Sequence, residues 1–237
     1  TWRIWNDEGG KTPKLMAGHS LGEYTALVCA GALDFSDAIK LVAARGHYMQ
    51  GAVAKGSGAM AAILGLEDDA VRDVCARAAG NDIVAAVNFN SPGQVVVAGH
   101  KAAVERAAEL AKEAGAKRAV LLPVSVPSHC QLMKPAADRL AEDLRQIQIR
   151  PPAIPVINNV DVAAPSDPDA IRDALVRQLY QPVRWVEVIQ AMLGQGVDTI
   201  IECGPGKVLV GLNKRIDKTV NHAALTDAGS LASALQS

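Results

Sequence analysis

The stretch Leu15-Met16-Ala17-Gly18-His19-Ser20-Leu21-Gly22-Glu23-Tyr24-Thr25-Ala26-Leu27 decides how this chain is read. A short apolar run arrives at Gly18, and a helical pattern leaves from Leu21. Between them, Gly18-x-Ser20-x-Gly22 has the spacing of a nucleophile elbow, where a serine on a sharp strand-to-helix turn lifts its hydroxyl clear of both elements. Two glycines omit Cβ atoms where backbone passes close to backbone, so Gly18 and Gly22 are both expected to be sterically required. The first free N–H groups of the new helix, starting with Leu21, aim where an oxyanion would form. The other reading is a strand, a flexible turn and a helix capped by Ser20. Strand–turn–helix context favours the elbow and makes Ser20 the leading nucleophile candidate.

Working outward, Lys14 to Ala17 reads as the incoming strand and Leu21 to Ala30 as the outgoing helix, closed by Gly31. Residues 1–8 read as an amphipathic helix ending at Gly9-Gly10. The chain opens in Thr1-Trp2-Arg3-Ile4-Trp5 without a methionine, in the manner of a helix tail, so a preceding segment is expected. Ser36 is expected to cap a helix from Asp37 to about residue 53 that carries Ala38, Leu41, Val42, Arg45 and Met49 on or near one face. With apolar neighbours at helical spacing, Arg45 either points inward or snorkels its head into water.

From Gly58 to Val124 the pattern changes to strand, helix, strand, strand, helix, strand, with a turn at Asn90-Ser91-Pro92-Gly93. That β-α-β-β-α-β order is the ferredoxin-like arrangement, entered through the hinge Gly56-Ser57-Gly58. The fold class is therefore α/β: residues 57–124 form an inserted lobe, and residues 1–56 with 125–237 a larger core. In that core, Val124 to His129 reads as a loop. Helices follow over 132–147, 169–179, 185–193 and 207–216, with strands over 156–158 and 199–202. These βα units are expected to share one doubly wound parallel sheet with the elbow strand.

Composition narrows the classes. Apolar residues are 49% of the chain and aromatics 3%, so the core must be built of Ala, Val, Leu and Ile, which suits helices packed on parallel strands. The net charge of −1, with signs interspersed, offers no field for nucleic acid or an acidic membrane surface. No apolar run approaches the roughly 18 residues of a membrane span, and a signal peptide is not expected. Four scattered cysteines, Cys29, Cys75, Cys130 and Cys203, form no metal-binding spacing with histidine and point to a reduced, cytoplasmic protein.

A serine nucleophile needs a base within hydrogen-bond reach. Among five histidines, His19 neighbours Ser20 at a turn where side chains diverge. His47 reads as a surface or interface group, His100 opens an exposed helix, and His222 lies in a polar tail. His129, on a loop after an apolar strand end, is the favoured base; a structural role is its alternative. No acid has an obvious claim to orient it. Gly204-Pro205-Gly206 reads as a tight turn more than an anion cradle, because proline removes a donor. Asn88 and Asn90 read as turn residues more than cleft groups.

Four separated motifs together carry a resemblance: Gly18-His19-Ser20-Leu21-Gly22-Glu23-Tyr24, Val87-Asn88-Phe89-Asn90-Ser91-Pro92-Gly93-Gln94, Val126-Pro127-Ser128-His129-Cys130, and Glu202-Cys203-Gly204-Pro205-Gly206-Lys207. The chain resembles, over essentially its whole length, the bacterial malonyl-CoA:acyl carrier protein transacylases. The resemblance implies an α/β-hydrolase-like core with a ferredoxin-like insert. It also implies transfer of malonyl from malonyl-CoA to the phosphopantetheine thiol of acyl carrier protein, in fatty acid biosynthesis, through an O-malonyl serine and without metal or other cofactor. By it Ser20 is the nucleophile, His129 the base, Leu21 an oxyanion N–H, and Arg45 the malonyl-carboxylate group. Gln178 supplies a backbone carbonyl that orients the histidine, and Asn88 and Asn90 lie near the cleft. The family's front strand and its Gly-Gln-Gly-Ser-Gln loop, source of a second oxyanion N–H, have no counterpart before Thr1. A serine thioesterase or hydrolase, and a non-catalytic acyl-binding fragment, are the rival classes.

Overall fold

The structure is a computed structural model that describes residues 1–124 and 126–236. Ser125, within the loop expected over 124–129, and Ser237 lie outside the described residues. A short helix α1 (Trp2–Asp7) precedes β1 (Met16–Ala17), the elbow and α2 (Leu21–Cys29). Helix α3 (Phe35–Gly51) follows, and it is Asp34, not Ser36, that caps it, its Oδ1 accepting from the Ser36 N–H at 2.9 Å. A carboxylate reaching over the first turn suits the positive end of the helix.

The second unit is β2 (Gly58–Leu64), α4 (Asp68–Ala79), β3 (Val84–Ser91), β4 (Gln94–His100), α5 (Lys101–Glu113) and β5 (Arg118–Leu121). Its strands make one antiparallel sheet in the order β3-β4-β2-β5. Buried faces of α4 and α5 cover one side through Val71, Val74, Val104 and Ala107, against Ile63, Val95 and Val97. The turn expected from Asn90 is shorter: β3 runs through Asn90 to Ser91, leaving Pro92-Gly93 as the hairpin loop, with Gly93 at φ 69°.

A 3₁₀ turn (Gln131–Met133) then leads into α6 (Lys134–Gln146), β6 (Val156–Ile157), α7 (Pro168–Gln178), α8 (Trp185–Gly194), β7 (Thr199–Cys203) and α9 (Val208–Ile216). The region around His222 is not a plain polar tail, because β8 (Asn221–Leu225) pairs in parallel with β7 and α10 (Ala228–Leu235) packs behind it. The single doubly wound sheet is not present among the described residues. The parallel strands form two separate ladders, β1 with β6 and β7 with β8. The fold is thus mixed α/β, with parallel and antiparallel sheets. Among the described residues no helix is long and apolar enough to cross a membrane.

The two units meet along β3. Val183 donates its N–H to the Val87 carbonyl at 2.8 Å, and Phe89 returns one to the Val183 carbonyl at 3.0 Å. This bridging brings the polar end of β3 over the elbow. Beneath the elbow, Tyr24, Leu27, Leu41, Met133, Leu140 and Leu175 form the main apolar cluster.

Candidate active site

Ser20 sits at φ 52°, ψ −108°, a backbone conformation that L-residues avoid and that persists only when surroundings enforce it. Two devices enforce it. A Cβ on Gly18 would lie 1.9 Å from the Gly22 carbonyl carbon, so only glycine permits the crossing. Gly22 itself has open space where its Cβ would point, which corrects the expectation that both glycines are sterically needed. The other device is Asn159, just beyond β6. Its Oδ1 accepts from the Ser20 N–H at 2.7 Å, and its Nδ2 donates to the Gly18 carbonyl at 2.9 Å, clipping the turn from both sides.

His129 is brought to this turn from far along the chain: its Nε2 lies 2.8 Å from Ser20 Oγ. The proton arrangement follows from its other contact. Nδ1 is 2.7 Å from the main-chain oxygen of Gln178. A carbonyl can only accept, so Nδ1 carries the hydrogen, Nε2 is bare, and the serine hydroxyl donates to it. The His129 N–H also donates to the Leu179 carbonyl at 2.9 Å. Both acceptors belong to the C-terminal end of α7, where orphan carbonyls and the negative end of the helix dipole collect. A helix end therefore stands where a carboxylate would otherwise be sought. Burial, reinforced by the nearby Arg45 cation and opposed by the Gln178 carbonyl, holds the His129 imidazole down at about 3.

Arg45 points inward rather than snorkelling; it is 7% exposed. Its Nη2 donates to Ser20 Oγ at 3.0 Å and to Gln178 Oε1 at 3.3 Å, and its guanidinium carbon lies 5.7 Å from the Tyr24 ring centre. The Arg45 Nε–H is buried without a hydrogen-bond partner. A buried cation with an unspent donor beside the serine hydroxyl has the chemistry to pair with an anion.

Asn88 is buried on β3, and Asn90 accepts through Oδ1 from His19 Nε2 at 2.8 Å. That contact ties the elbow to the antiparallel sheet, with the His19 ring 5.5 Å from that of Trp185. Burial lowers the His19 pKa, so the ring is neutral and donates from Nε2. Leu21 opens α2, and as a first-turn residue its N–H has no carbonyl behind it in the helix. The Gly204-Pro205-Gly206 turn leads into α9, where Glu202 Oε2 accepts from the first-turn Val210 N–H at 2.7 Å. Sequence reasoning missed Asn159 and Glu23. Asn159 carries a usable signal, an asparagine pair at the carboxyl end of a parallel strand. Glu23 carries none, since in sequence it is an ordinary acid in a first helical turn.

A family model described as acyl transferase domain matches residues 3–232. A malonyl CoA-acyl carrier protein transacylase of Escherichia coli K12 is 59% identical over 235 residues, 99% of this chain and 76% of that protein. One of Bacillus subtilis is 48% identical over 231 residues, 97% of this chain and 73% of its own length. An acyl carrier protein S-malonyltransferase structure from Vibrio cholerae superposes with TM-score 0.97 at 62% identity, covering 98% of this chain and 76% of that one. A malonyl-transacylase solved in complex with a type II polyketide acyl-carrier protein superposes with TM-score 0.98 at 57% identity, covering 99% and 76%. The chain spans about three quarters of the length of these relatives and belongs to the acyl transferase family, among the malonyl CoA-acyl carrier protein transacylases.

Proposed function

We propose that this protein transfers a malonyl group from malonyl-CoA to the phosphopantetheine thiol of acyl carrier protein, through an O-malonyl ester on Ser20. The observation that carries the reading is one serine oxygen shared by a neutral imidazole at 2.8 Å and a buried guanidinium at 3.0 Å. The imidazole activates a nucleophile; the guanidinium selects an acyl group that ends in a carboxylate.

In this scheme Ser20 Oγ attacks the thioester carbonyl while its proton passes to His129 Nε2. The negative charge gathers on the former carbonyl oxygen, within reach of the Leu21 N–H. Imidazolium then forms against the carbonyls at the end of α7, Gln178 foremost, and gives its proton to the coenzyme A sulfur as the carbon–sulfur bond breaks, so that coenzyme A leaves as the thiol. The carrier-protein thiol reverses these steps on the ester. Arg45 holds the malonyl carboxylate in its planar fork. Pairing the guanidinium with that carboxylate also removes a cation that opposes imidazolium formation, so the correct substrate strengthens its own base. Asn88 and Asn90 line the cleft side of β3. The chemistry calls on no resident metal or redox cofactor, and its substrates suit the cytoplasm.

We further propose that residues 57–124 are a ferredoxin-like lobe, since the order β3-β4-β2-β5 suits that topology. It is set into an α/β-hydrolase-like core of residues 1–56 and 125–237. Transfer assays against holo carrier protein and against water test the reaction: malonyl transfer supports it, and hydrolysis without transfer would favour a thioesterase.

A further inference from the structure

Glu23 is a buried carboxylate that no step above uses. It lies one turn into α2, three residues after Ser20, with 2% of its surface exposed. Side chains on a helix lean toward its N-terminus, so Glu23 reaches back beneath the elbow. There a single oxygen, Oε2, accepts from two donors: the Asn159 N–H at 2.9 Å and Gln178 Nε2 at 2.9 Å.

Those two residues are the ones that hold the reacting groups. Asn159 clips the elbow through Gly18 and Ser20. Gln178 donates to the Ser20 carbonyl at 3.1 Å, accepts from Arg45 with its side chain, and accepts from His129 with its main chain. The Glu23 oxygen thus joins the turn of the nucleophile to the end of α7 that carries the base. We infer that Glu23 is a positioning residue, whose shared acceptor oxygen keeps Ser20, His129 and Arg45 in mutual register. The inference rests on the acyl-serine reading above. What matters in it is an acceptor at that reach, not a negative charge: both partners are neutral N–H donors.

The test is the rate of malonyl-Ser20 formation in single turnovers, followed by mass spectrometry, with KM and thermal midpoint, for wild type, Glu23→Gln, Glu23→Asp and Glu23→Ala. Glutamine keeps an acceptor at the same reach; aspartate keeps the carboxyl group but withdraws it by about 1.5 Å. The expected result is that glutamine retains the rate to within a fewfold. Aspartate and alanine lose on the order of a hundredfold in rate, because misplacement by about 1 Å costs that much, with KM changing far less. Should alanine fail to fold, the glutamine and aspartate pair decides. Aspartate matching wild type while glutamine fails, or folded aspartate at full rate, overturns the inference alone. A wild type that forms no malonyl-serine overturns the reading it rests on.

Discussion

Arg45→Ala tests the division of labour between activation and selection. The side chain is buried, its Nη2 is shared between Ser20 and Gln178, and its Nε–H is unspent. A malonyl carboxylate received in the fork gains two charge-assisted hydrogen bonds worth about 1.5–3 kcal/mol each. Taking about 3–5 kcal/mol for the pair, the substitution should lower kcat/KM for malonyl-CoA by roughly 200- to 5,000-fold at 1.36 kcal/mol per tenfold. Acetyl-CoA has no carboxylate to lose. For it the change removes an unpaired buried cation and relieves the repulsion that helps hold the His129 pKa near 3, so its kcat/KM should stay level or rise. The assay is kcat/KM for both thioesters, with acyl transfer to carrier protein as readout. Arg45→Lys, which keeps the charge but not the fork, should fall between. Equal losses for the two substrates would refute the clamp and leave Arg45 as a support for the serine.

Other predictions follow from the same geometry. Gly18→Ala places a methyl 1.9–2.0 Å from the Gly22 carbonyl group and should cost several kcal/mol in denaturant unfolding or abolish folding. Gly22→Ala meets nothing within 4 Å and sits in α2, so it should raise stability by about 0.5–1 kcal/mol; a comparable loss in both variants would contradict the crossing described for the elbow. The pH dependence of stability carries two opposed contributions. His129, about 3 folded against 6.5 unfolded, contributes stability that is full above pH 6.5 and lost as pH falls toward 3. Glu23, pushed by burial to about 7 from 4.5, contributes stability that is full below pH 4.5 and lost as pH rises toward 7. Between pH 4.5 and 6.5 the unfolded chain holds one extra proton on histidine and lacks one on glutamate, so the two slopes cancel. Glu23→Gln should uncover the histidine slope, up to about 1.4 kcal/mol per pH unit, rising with pH across that window. Urea unfolding of both proteins from pH 4.5 to 6.5 reads it, and parallel curves would show that Glu23 titrates as an ordinary carboxyl group.

Much of this architecture is written in local pattern. The elbow is legible because a glycine on either side of Ser20 interrupts an apolar strand just where a helical period begins. The face of α3 is legible because Ala38, Leu41, Arg45 and Met49 recur at helical spacing, and those are its buried residues. Periodicity could not say whether Arg45 turns inward, since a long stem covers the same apolar neighbours in either case. The hydrogen-bonding network behind the site was hidden for a different reason. Glu23 and Asn159 are 136 residues apart, and nothing in either neighbourhood signals that an acid will be buried. Strand β8 was missed because Asn221-His222-Ala223-Ala224-Leu225 is short and half polar, and becomes a strand only by pairing with β7. No acid presents itself in the sequence as a partner for His129, and its Nδ1 lies against a main-chain oxygen, which no side-chain motif can announce.

In the proposed reaction Ser20 becomes acylated by the group that Arg45 selects. Mass spectrometry of the protein after brief exposure to malonyl-CoA, with Ser20→Ala and an acetyl-CoA control alongside, tests it most directly. A malonyl adduct is expected on the peptide holding Ser20, absent in Ser20→Ala, discharged by holo carrier protein and much weaker from acetyl-CoA. An adduct on another residue, or turnover of malonyl-CoA that persists in Ser20→Ala, would contradict it.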